Sequence, residues 1–383
     1  MKKLLLLALL AFQSFAGQID YYDGRAEIPD RATPNKETLH HFLYNYVWKW
    51  PLNGGRTTIK ASPDPYEFEY DLREDSYIDS QMQDTALLSY FMYEDNKIVI
   101  DEITPIFMYG DNTKYHSQSV GKTITSYVAA HAICVGYIES VDSKLNDWPM
   151  IKNTLYHNQS LIDLLNMAAG DQRYANINGL TNSDRWINSG STQSVMEWEL
   201  KGSKQSYSTY NYNNLVPNTV GAYVKFKAGD NYQDLLNDVF QDKVRIKDDV
   251  FFMINENAGY GEETYWYQFY ATRADYLRIA KAMLDDWQND TCEGQYLKTI
   301  YNRAIPKNGL QGNRGSVGIP QNYAGFFHTG YGLGQRQKIP VMGMDGFGGQ
   351  SILINFETGK IIATQAIHQD YNWKKIVYEY MYN

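Results

Sequence analysis

Residues 119–136 read SVGKTITSYVAAHAICVG, and the spacing of their apolar residues is informative about the fold. Apolar side chains recur at every fourth position, at Val120, Ile124, Val128 and Ala132, and this spacing lines one face of a helix. Gly136 then ends the run, as glycine commonly does after a last helical turn. The pattern predicts an apolar helix that begins at Ser119.

Two chemically active side chains lie at the start of this helix. Ser119 and Lys122 are three residues apart, so on a helix they share a face and the amine can reach the hydroxyl. A buried lysine loses its proton more easily, and the neutral amine can then activate a serine. The alternative, a serine and a lysine that both face solvent, would be preferred on this four-residue motif alone. The sequence on either side decides between the two interpretations.

Strands are predicted on both sides of the helix. Residues 87–100 have the pattern of a hairpin with its turn at 94–96, and residues 350–367 have the pattern of another with its turn at 357–360. We therefore expect an α+β fold. The N- and C-terminal segments should form one antiparallel sheet flanked by helices, with a helical subdomain inserted between them.

Further helices are predicted between and after these strands. Ser160 is a capping residue for a helix that ends near Gly170, residues 275–287 are amphipathic, and residues 373–382 form a last helix. Residues 171–270 are rich in Asn, Tyr and Gly, which favours loops and short helices over a site.

In this setting the S-x-x-K helix resembles that of the serine β-lactamase and penicillin-binding-protein superfamily. Later segments are similar to segments of that family in the same order, closest to the branch of class C β-lactamases, esterases and 6-aminohexanoate-oligomer hydrolases. These segments are residues 138–145, 160–170, 212–214, 221–222, 271–275 and 344–350. The resemblance covers about residues 85–380. It implies a β-lactamase/transpeptidase-like domain over 85–383 with a helical subdomain at about 137–270, preceded by an irregular segment over 18–84 that packs on it.

The resemblance implies three catalytic residues. Ser119 would attack an ester or amide carbonyl, Lys122 would be the general base, and Tyr212 of the Tyr212-Asn213-Asn214 motif would shuttle the proton. Asn214 would orient Lys122 and the substrate. Tyr210 competes for the tyrosine role, but the residue two positions after it is a tyrosine and not an asparagine.

The third family motif corresponds to Met344-Asp345-Gly346-Phe347. Gly346 would let the substrate approach the backbone, and the N–H groups of Phe347 and Ser119 would form an oxyanion hole. The family usually has a cation and a hydroxyl where this chain has Met344 and Asp345, so we expect β-lactams to be poor substrates. His328-Thr329-Gly330 imitates the motif one segment too early, and we treat it as a decoy. Gly121 stands where threonine is commoner, a change expected to be neutral.

Charge and composition limit the partners. The chain has 35 Lys and Arg against 44 Asp and Glu, a net charge of −9, so a nucleic-acid partner is not expected. The seven histidines are scattered, and neither a metal nor another cofactor is expected. The predicted partner is a small-molecule ester or amide. The alternative to an enzyme is a non-catalytic ligand-binding or envelope-associated relative that kept the fold.

The N-terminus predicts export. Lys2 and Lys3 precede an apolar stretch over 4–12, and small residues at Ser14 and Ala16 suit cleavage near Ala16. We therefore expect a signal peptide over 1–17, a periplasmic or secreted protein, and no stable membrane span. Only two cysteines are present, Cys134 and Cys292. We expect Cys134 to be a small buried hydrophobe rather than half of a disulfide.

Overall fold

The computed structural model describes residues 55–104, 110–176, 179–180, 192–254, 265–307, 320–332, 334–367 and 369–383. Residues 1–17, where we predict the signal peptide, lie outside these ranges. Among the described residues, no helix combines the length and the apolar character that crossing a bilayer requires.

A nine-stranded sheet built from the two ends of the chain forms the larger layer of the fold. The strands run in the order β10-β11-β12-β13-β14-β15-β3-β4-β2, and every neighbouring pair is antiparallel except β2 with β4. The bounds are β2 Glu69–Tyr70, β3 Leu87–Glu94, β4 Lys97–Ile103, β10 Ile305–Pro306, β11 Asn322–Ala324, β12 Phe327–Thr329, β13 Val341–Gly346, β14 Gln350–Asn355 and β15 Lys360–Ala366. Both predicted hairpins, β3–β4 and β14–β15, are confirmed, as is the α+β fold class.

The central strands are buried on both faces, which explains their nearly continuous apolar sequence. On β3, Phe91 and Tyr93 belong to the large core that contains the Ser119 helix, whereas Tyr90 and Met92 belong to a second core beneath the C-terminal helix. The sheet therefore separates two apolar layers.

A second sheet of four strands lies in the order β1-β8-β9-β5. Its bounds are β1 Arg56–Ile59, β5 Lys114–His116, β8 Val250–Ile254 and β9 Tyr265–Thr272, and a separate short pair consists of β6 Ala175–Asn176 and β7 Gly179–Leu180. Strand β5 comes directly before the Ser119 turn, and it pairs with β9 from His116–Tyr270 to Lys114–Thr272. This sheet therefore holds the start of the central helix.

The described helices surround and support these sheets. The α-helices are α1 Ser76–Asp84, α2 Val120–Cys134, α3 Leu161–Leu165, α4 Thr192–Ser194, α5 Leu215–Ala228, α6 Tyr232–Asn237, α7 Arg273–Gln288 and α8 Cys292–Asn302. Three π-helical segments cover Val195–Glu199, Asp238–Lys243 and Lys374–Glu379, and three 3₁₀ turns cover Pro149–Ile151, Gly229–Asn231 and Gly334–Lys338.

Helix α2 confirms the prediction from its spacing. Residues 120–132 are all buried, which is more than the single apolar face that the period of four required. Its buried hydroxyls are satisfied, because Thr125 and Ser126 hydrogen-bond to the phenols of Tyr265 and Tyr296. The helix is therefore a core element packed on all sides.

One predicted helix ends earlier than expected, and another has an unexpected helical type. The Ser160 hydroxyl does cap α3, but the helix ends at Leu165, and Met167 then adopts a left-handed φ of +55° that a helix cannot continue through. The predicted C-terminal helix is present over residues 373–381, and its central part, Lys374–Glu379, is π-helical.

The expectation for the cysteines was wrong. Cys134 at the end of α2 and Cys292 at the start of α8 form a disulfide across 158 residues of sequence. A buried polar network lies beside it, in which His131 contacts Glu293 and Lys243 bridges Glu293 and Asp286. Helix α2 is thus fixed to α8 by the disulfide and by the hydrogen bond between His131 and Glu293.

Candidate active site

The turn before Ser119 is held by β9. Ser117 N donates to Phe269 O over 2.8 Å, and Phe269 N donates to Ser117 Oγ over 2.9 Å. Gln118 then has φ of +49°, a left-handed conformation that is rare for a residue with a side chain. This reversal leads from strand β5 directly into α2 and leaves Ser119 half-buried at the helix start.

Gly121 is not interchangeable with threonine here. A Cβ atom at this position would lie 2.1 Å from Tyr267 O and 2.7 Å from Ser117 Oγ. The backbone of β9 therefore passes against the first turn of α2 at a distance that only glycine permits. The sequence alone did not reveal this requirement for glycine, because the neighbouring strand that causes it is distant in the chain.

Lys122 lies beside the serine and is 1% exposed. A hydrogen bond of 2.8 Å joins its Nζ to Ser119 Oγ. The amine also lies 4.1 Å from the ring centre of Tyr267 and 4.7 Å from that of Tyr212. The predicted pairing at i and i+3 is thus present, in a buried aromatic setting and not on a solvent-facing surface.

Burial holds the pKa of Lys122 well below its usual value, because the charged ammonium loses its hydration. The two rings act in the opposite direction, since a cation over an aromatic face gains about 0.5–2 kcal/mol. Desolvation is nevertheless the dominant effect on this buried amine, so the net direction of its pKa shift is downward. The amine can therefore be neutral and accept a proton from Ser119.

Tyr212 is held in place through its two neighbours. Asn211 Nδ2 donates to Asp171 Oδ1 over 2.6 Å, and Asn213 Nδ2 donates to Asp171 Oδ2 over 3.1 Å. Tyr156 OH donates to the same carboxylate over 2.7 Å. Asp171 is fully buried, and this desolvation raises its pKa. The segment that carries Tyr212 is therefore fixed on both sides of that residue.

The two asparagines after Tyr212 have different contacts. Asn213 Oδ1 accepts hydrogen bonds from the N–H groups of Leu215 and Val216, so this side chain caps helix α5. Asn214 Oδ1 accepts from Tyr267 OH over 3.0 Å. Asn214 therefore contacts the tyrosine whose ring lies against the Lys122 amine.

Tyr323 and Tyr267 belong to the site and were missed by the sequence analysis. The ring of Tyr323 lies edge-on to that of Tyr212, with centres 6.1 Å apart. The competing Tyr210 packs on Tyr323 at 5.1 Å and contributes no ring to the pair that flanks Lys122. In a chain with 33 tyrosines, no local signal marks these two.

The end of β13 lies against the Ser119 turn, as the third motif requires. A Cβ atom on Gly346 would lie 2.8 Å from Ser117 O and 3.0 Å from Gln118 Cβ, so the approach again depends on glycine. The next residue, Phe347, is 60% exposed and accepts from Gln350 Nε2 through its carbonyl. Gly346 thus lies against the turn that precedes Ser119, and Phe347 is the next residue along the chain.

The two residues before Gly346 do not supply a cation. Met344 is fully buried in the core that contains α2. Asp345 Oδ1 accepts from Ser351 Oγ over 3.1 Å, and that hydroxyl accepts from Trp373 Nε1 over 3.0 Å. The Asp345 side chain is therefore engaged on the side of the sheet where the C-terminal segment packs.

His328-Thr329-Gly330 lies one strand further out. His328 pairs with Gly343 and Thr329 with Met342, near the start of β13 rather than at its end. This placement agrees with its treatment as a decoy. Within the described ranges, no group of three or more His, Cys, Asp or Glu residues could hold a metal ion.

Comparison of the sequence with protein-family models and with curated proteins gives no match. Comparison of the structure does. A candidate 6-aminohexanoate-dimer hydrolase from Bacillus anthracis matches with a TM-score of 0.67 at 15% identity, covering 92% of this chain and 97% of that one. A candidate β-lactamase from Bacteroides dorei matches with a TM-score of 0.56 at 16% identity, covering 79% and 91%.

A third solved structure, EstCE1, is described as a hydrolase with promiscuous acyltransferase activity. It matches with a TM-score of 0.59 at 9% identity, covering 80% of this chain and 99% of that one. At such low identity the likeness establishes the fold, and functional conclusions need the site itself. The chain therefore has the serine β-lactamase-like fold that the order of its motifs predicted.

Proposed function

We propose that this protein is an exported serine hydrolase that cleaves an ester or amide bond through an acyl-enzyme on Ser119. The observation that carries the proposal is the 2.8 Å hydrogen bond between Ser119 Oγ and the buried amine of Lys122. A serine needs an adjacent base to become nucleophilic, and a desolvated lysine is such a base.

The reaction follows from the neutral amine. Lys122 accepts the Ser119 proton as Oγ forms its bond to the substrate carbonyl carbon, and the backbone N–H groups of Ser119 and Phe347 stabilise the oxyanion. The proton then passes through the Tyr212 hydroxyl to the leaving alcohol or amine as that bond breaks. Water attacks the acyl-enzyme in the second half of the reaction and regenerates Ser119. No cofactor takes part in these steps.

Esters and simple amides fit this site better than β-lactams. A β-lactam carries its carboxylate close to the scissile bond, and a cation on the third-motif strand would bind it. In this chain Met344 is buried at that position, and Asp345 is acidic. We expect nitrocefin hydrolysis far below the range of about 10–1000 per second typical of dedicated enzymes.

Export is supported by the N-terminal sequence and by the disulfide. The charged and apolar pattern over 1–17 is that of a signal peptide. Disulfides such as Cys134–Cys292 form and persist mainly in oxidising compartments. A periplasmic or secreted location fits both features, and the net charge of −9 argues against nucleic acid as a partner.

The test is hydrolysis of p-nitrophenyl acetate and p-nitrophenyl butyrate by the purified mature protein. The wild type should release p-nitrophenol with an initial burst, because acylation precedes a separate deacylation step. Ser119→Ala should abolish the burst and the turnover, whereas Ser80→Ala on the distant helix α1 should change neither. A wild-type rate no higher than that of Ser119→Ala would contradict the proposal and favour the non-catalytic alternative.

A further inference from the structure

The turn that carries one of the two proposed oxyanion donors is rich in glycine. It connects β13 to β14 through Phe347, Gly348 and Gly349, and the two glycines have φ of +85° and +102°. Glycine restricts the backbone less than any other residue does, so this turn has no strong conformational preference of its own. An oxyanion hole works because its donors are already in place before the reaction. Other groups must therefore fix the Phe347 N–H.

The side chain of Gln350 holds this turn. It is 9% exposed, its Nε2 donates to Phe347 O over 2.9 Å, and its Oε1 accepts from Ala366 N over 2.9 Å. A carbonyl oxygen only accepts and a backbone N–H only donates, so the two partners define which end of the amide is oxygen and which is nitrogen. Gln350 therefore ties the turn to strand β15.

The partner on β15 lies at an irregularity of the sheet. The pairing of β15 with β3 shifts its register between Gln365 and Ala366, and the pairing of β15 with β14 extends only to Thr364 and Ser351. Register shifts of this kind take backbone groups out of the regular ladder and are frequent next to active sites. The Ala366 N–H, at this shift, is the group that donates to Gln350.

The backbone of Phe347 is thereby held on both sides of its N–H. On one side, Gly346 O accepts from Gly349 N over 3.2 Å within the turn. The Phe347 N–H belongs to the same peptide group as Gly346 O and is opposite to it, so it points out of the turn. On the other side, Gln350 holds Phe347 O. Loss of this second contact would free the rotation that aims the N–H.

We propose that Gln350 is a positioning residue for the oxyanion hole, and that it acts through the carbonyl of Phe347. The inference rests on the proposed hydrolase function, in which the Phe347 N–H stabilises the oxyanion. That charge develops only as the Ser119–carbon bond forms, so removing Gln350 should lower kcat and leave KM nearly unchanged.

The test compares an ester with its thionoester in each variant. The substrates are p-nitrophenyl butyrate and the analogue in which sulfur replaces the carbonyl oxygen. Sulfur is a weak acceptor of hydrogen bonds, so an oxyanion hole assists the thionoester less. A loss of folded protein lowers both rates equally. The ratio of the two kcat values therefore reports the state of the oxyanion hole and not the amount of active protein.

Gln350→Met keeps the length of the side chain and removes both hydrogen bonds. Its kcat for the ester should fall by about 10- to 100-fold, less than the full effect of deleting an oxyanion donor, and its ester-to-thionoester ratio should fall with it. The matched control is Asn355→Leu at the other end of β14. Asn355 is 1% exposed and accepts from the N–H groups of Glu357 and Thr358, so it also holds a turn. Its ratio should equal that of the wild type.

Gln350→Glu adds a pH dependence that a packing role would not produce. The introduced carboxyl group can donate to Phe347 O while it is protonated, whereas a carboxylate only accepts and repels that carbonyl. The kcat of this variant, divided by the wild-type kcat at the same pH, should therefore fall between about pH 5 and pH 9, the range in which a buried glutamate ionises.

The outcomes separate this role from the hydrolase itself. A wild-type ester-to-thionoester ratio in Gln350→Met, or a relative kcat of Gln350→Glu that does not fall with pH, would overturn the positioning role and leave the hydrolase intact. A wild type that does not turn over p-nitrophenyl butyrate would contradict the hydrolase and this role together. A lowered ratio in Gln350→Met with an unchanged ratio in Asn355→Leu would support both.

Discussion

Replacing Lys122 with methionine should remove the general base while keeping the shape of the site. Nζ lies 2.8 Å from Ser119 Oγ and the side chain is 1% exposed, so bulk water is not in place to take over the proton. Loss of a general base costs about 10²- to 10⁴-fold in rate. At about 1.4 kcal/mol per tenfold, the barrier to acylation should rise by roughly 3–5 kcal/mol.

The pH dependence of kcat/KM is a second test of Lys122 as the general base. Because burial holds the pKa of Lys122 below its usual value, the amine becomes neutral as pH rises through the lowered pKa, and kcat/KM should rise with it. Lys122→Met should lose this pH dependence, and Lys122→Arg should not restore activity, because guanidinium stays protonated.

Stability measurements separate a catalytic loss from a folding defect. Between the lowered pKa and about 10.4, the unfolded chain binds a proton at Lys122 that the folded chain does not, so wild-type stability rises with pH by up to about 1.4 kcal/mol per unit. Urea unfolding should show that Lys122→Met lacks this contribution and is folded at neutral pH. A folded Lys122→Met protein that hydrolyses p-nitrophenyl acetate as fast as wild type would refute the assignment.

Three further substitutions test the architecture around the serine. Gly121→Ala places a Cβ 2.1 Å from Tyr267 O and should lower the free energy of unfolding, measured in urea, by at least about 1–3 kcal/mol. The control Gly110→Ala, whose Cβ would have no atom within 4 Å, should change this free energy little. Equal stabilities of the two variants would contradict the close approach of β9 to Gly121. Cys134→Ala/Cys292→Ala removes the cross-link that closes a loop of 158 residues, and it should lower the free energy of unfolding by about 2–5 kcal/mol. A double variant as stable as the oxidised wild type would count against the disulfide. Asp171→Ala removes the acceptor that Asn211, Asn213 and Tyr156 share, and it should lower kcat more than it raises KM, with partial rescue in Asp171→Asn; an unchanged kcat would show that fixing Asn211 and Asn213 is not needed to position Tyr212.

Local spacing was enough to predict the elements that frame the site. The period of four over Val120–Ala132 gave helix α2, and the i and i+3 spacing gave the contact between Ser119 and Lys122. The two hairpins followed from apolar runs interrupted by turn residues, because a turn is specified by its own few residues. These features need no information from distant parts of the chain.

The features that the sequence did not reveal are long-range. Cys134 and Cys292 pair across 158 residues, so their spacing carries no signal. Tyr267 covers Lys122 because of the register of β9, and Gly121 is required because the same strand passes over it. Asp171 reaches Asn211 and Asn213 across some forty residues of chain. Each depends on tertiary packing, which residue patterns within one element do not encode.

The most direct test of the central claim is to locate a covalent adduct on the serine. The mature protein is incubated with a fluorophosphonate probe, and the adduct is located by peptide mass spectrometry. We expect one probe per chain on Ser119, no labelling of Ser119→Ala, much slower labelling of Lys122→Met, and wild-type labelling of Ser80→Ala. Labelling that persists in Ser119→Ala, or a wild-type protein that is never labelled, would contradict an activated serine at this position.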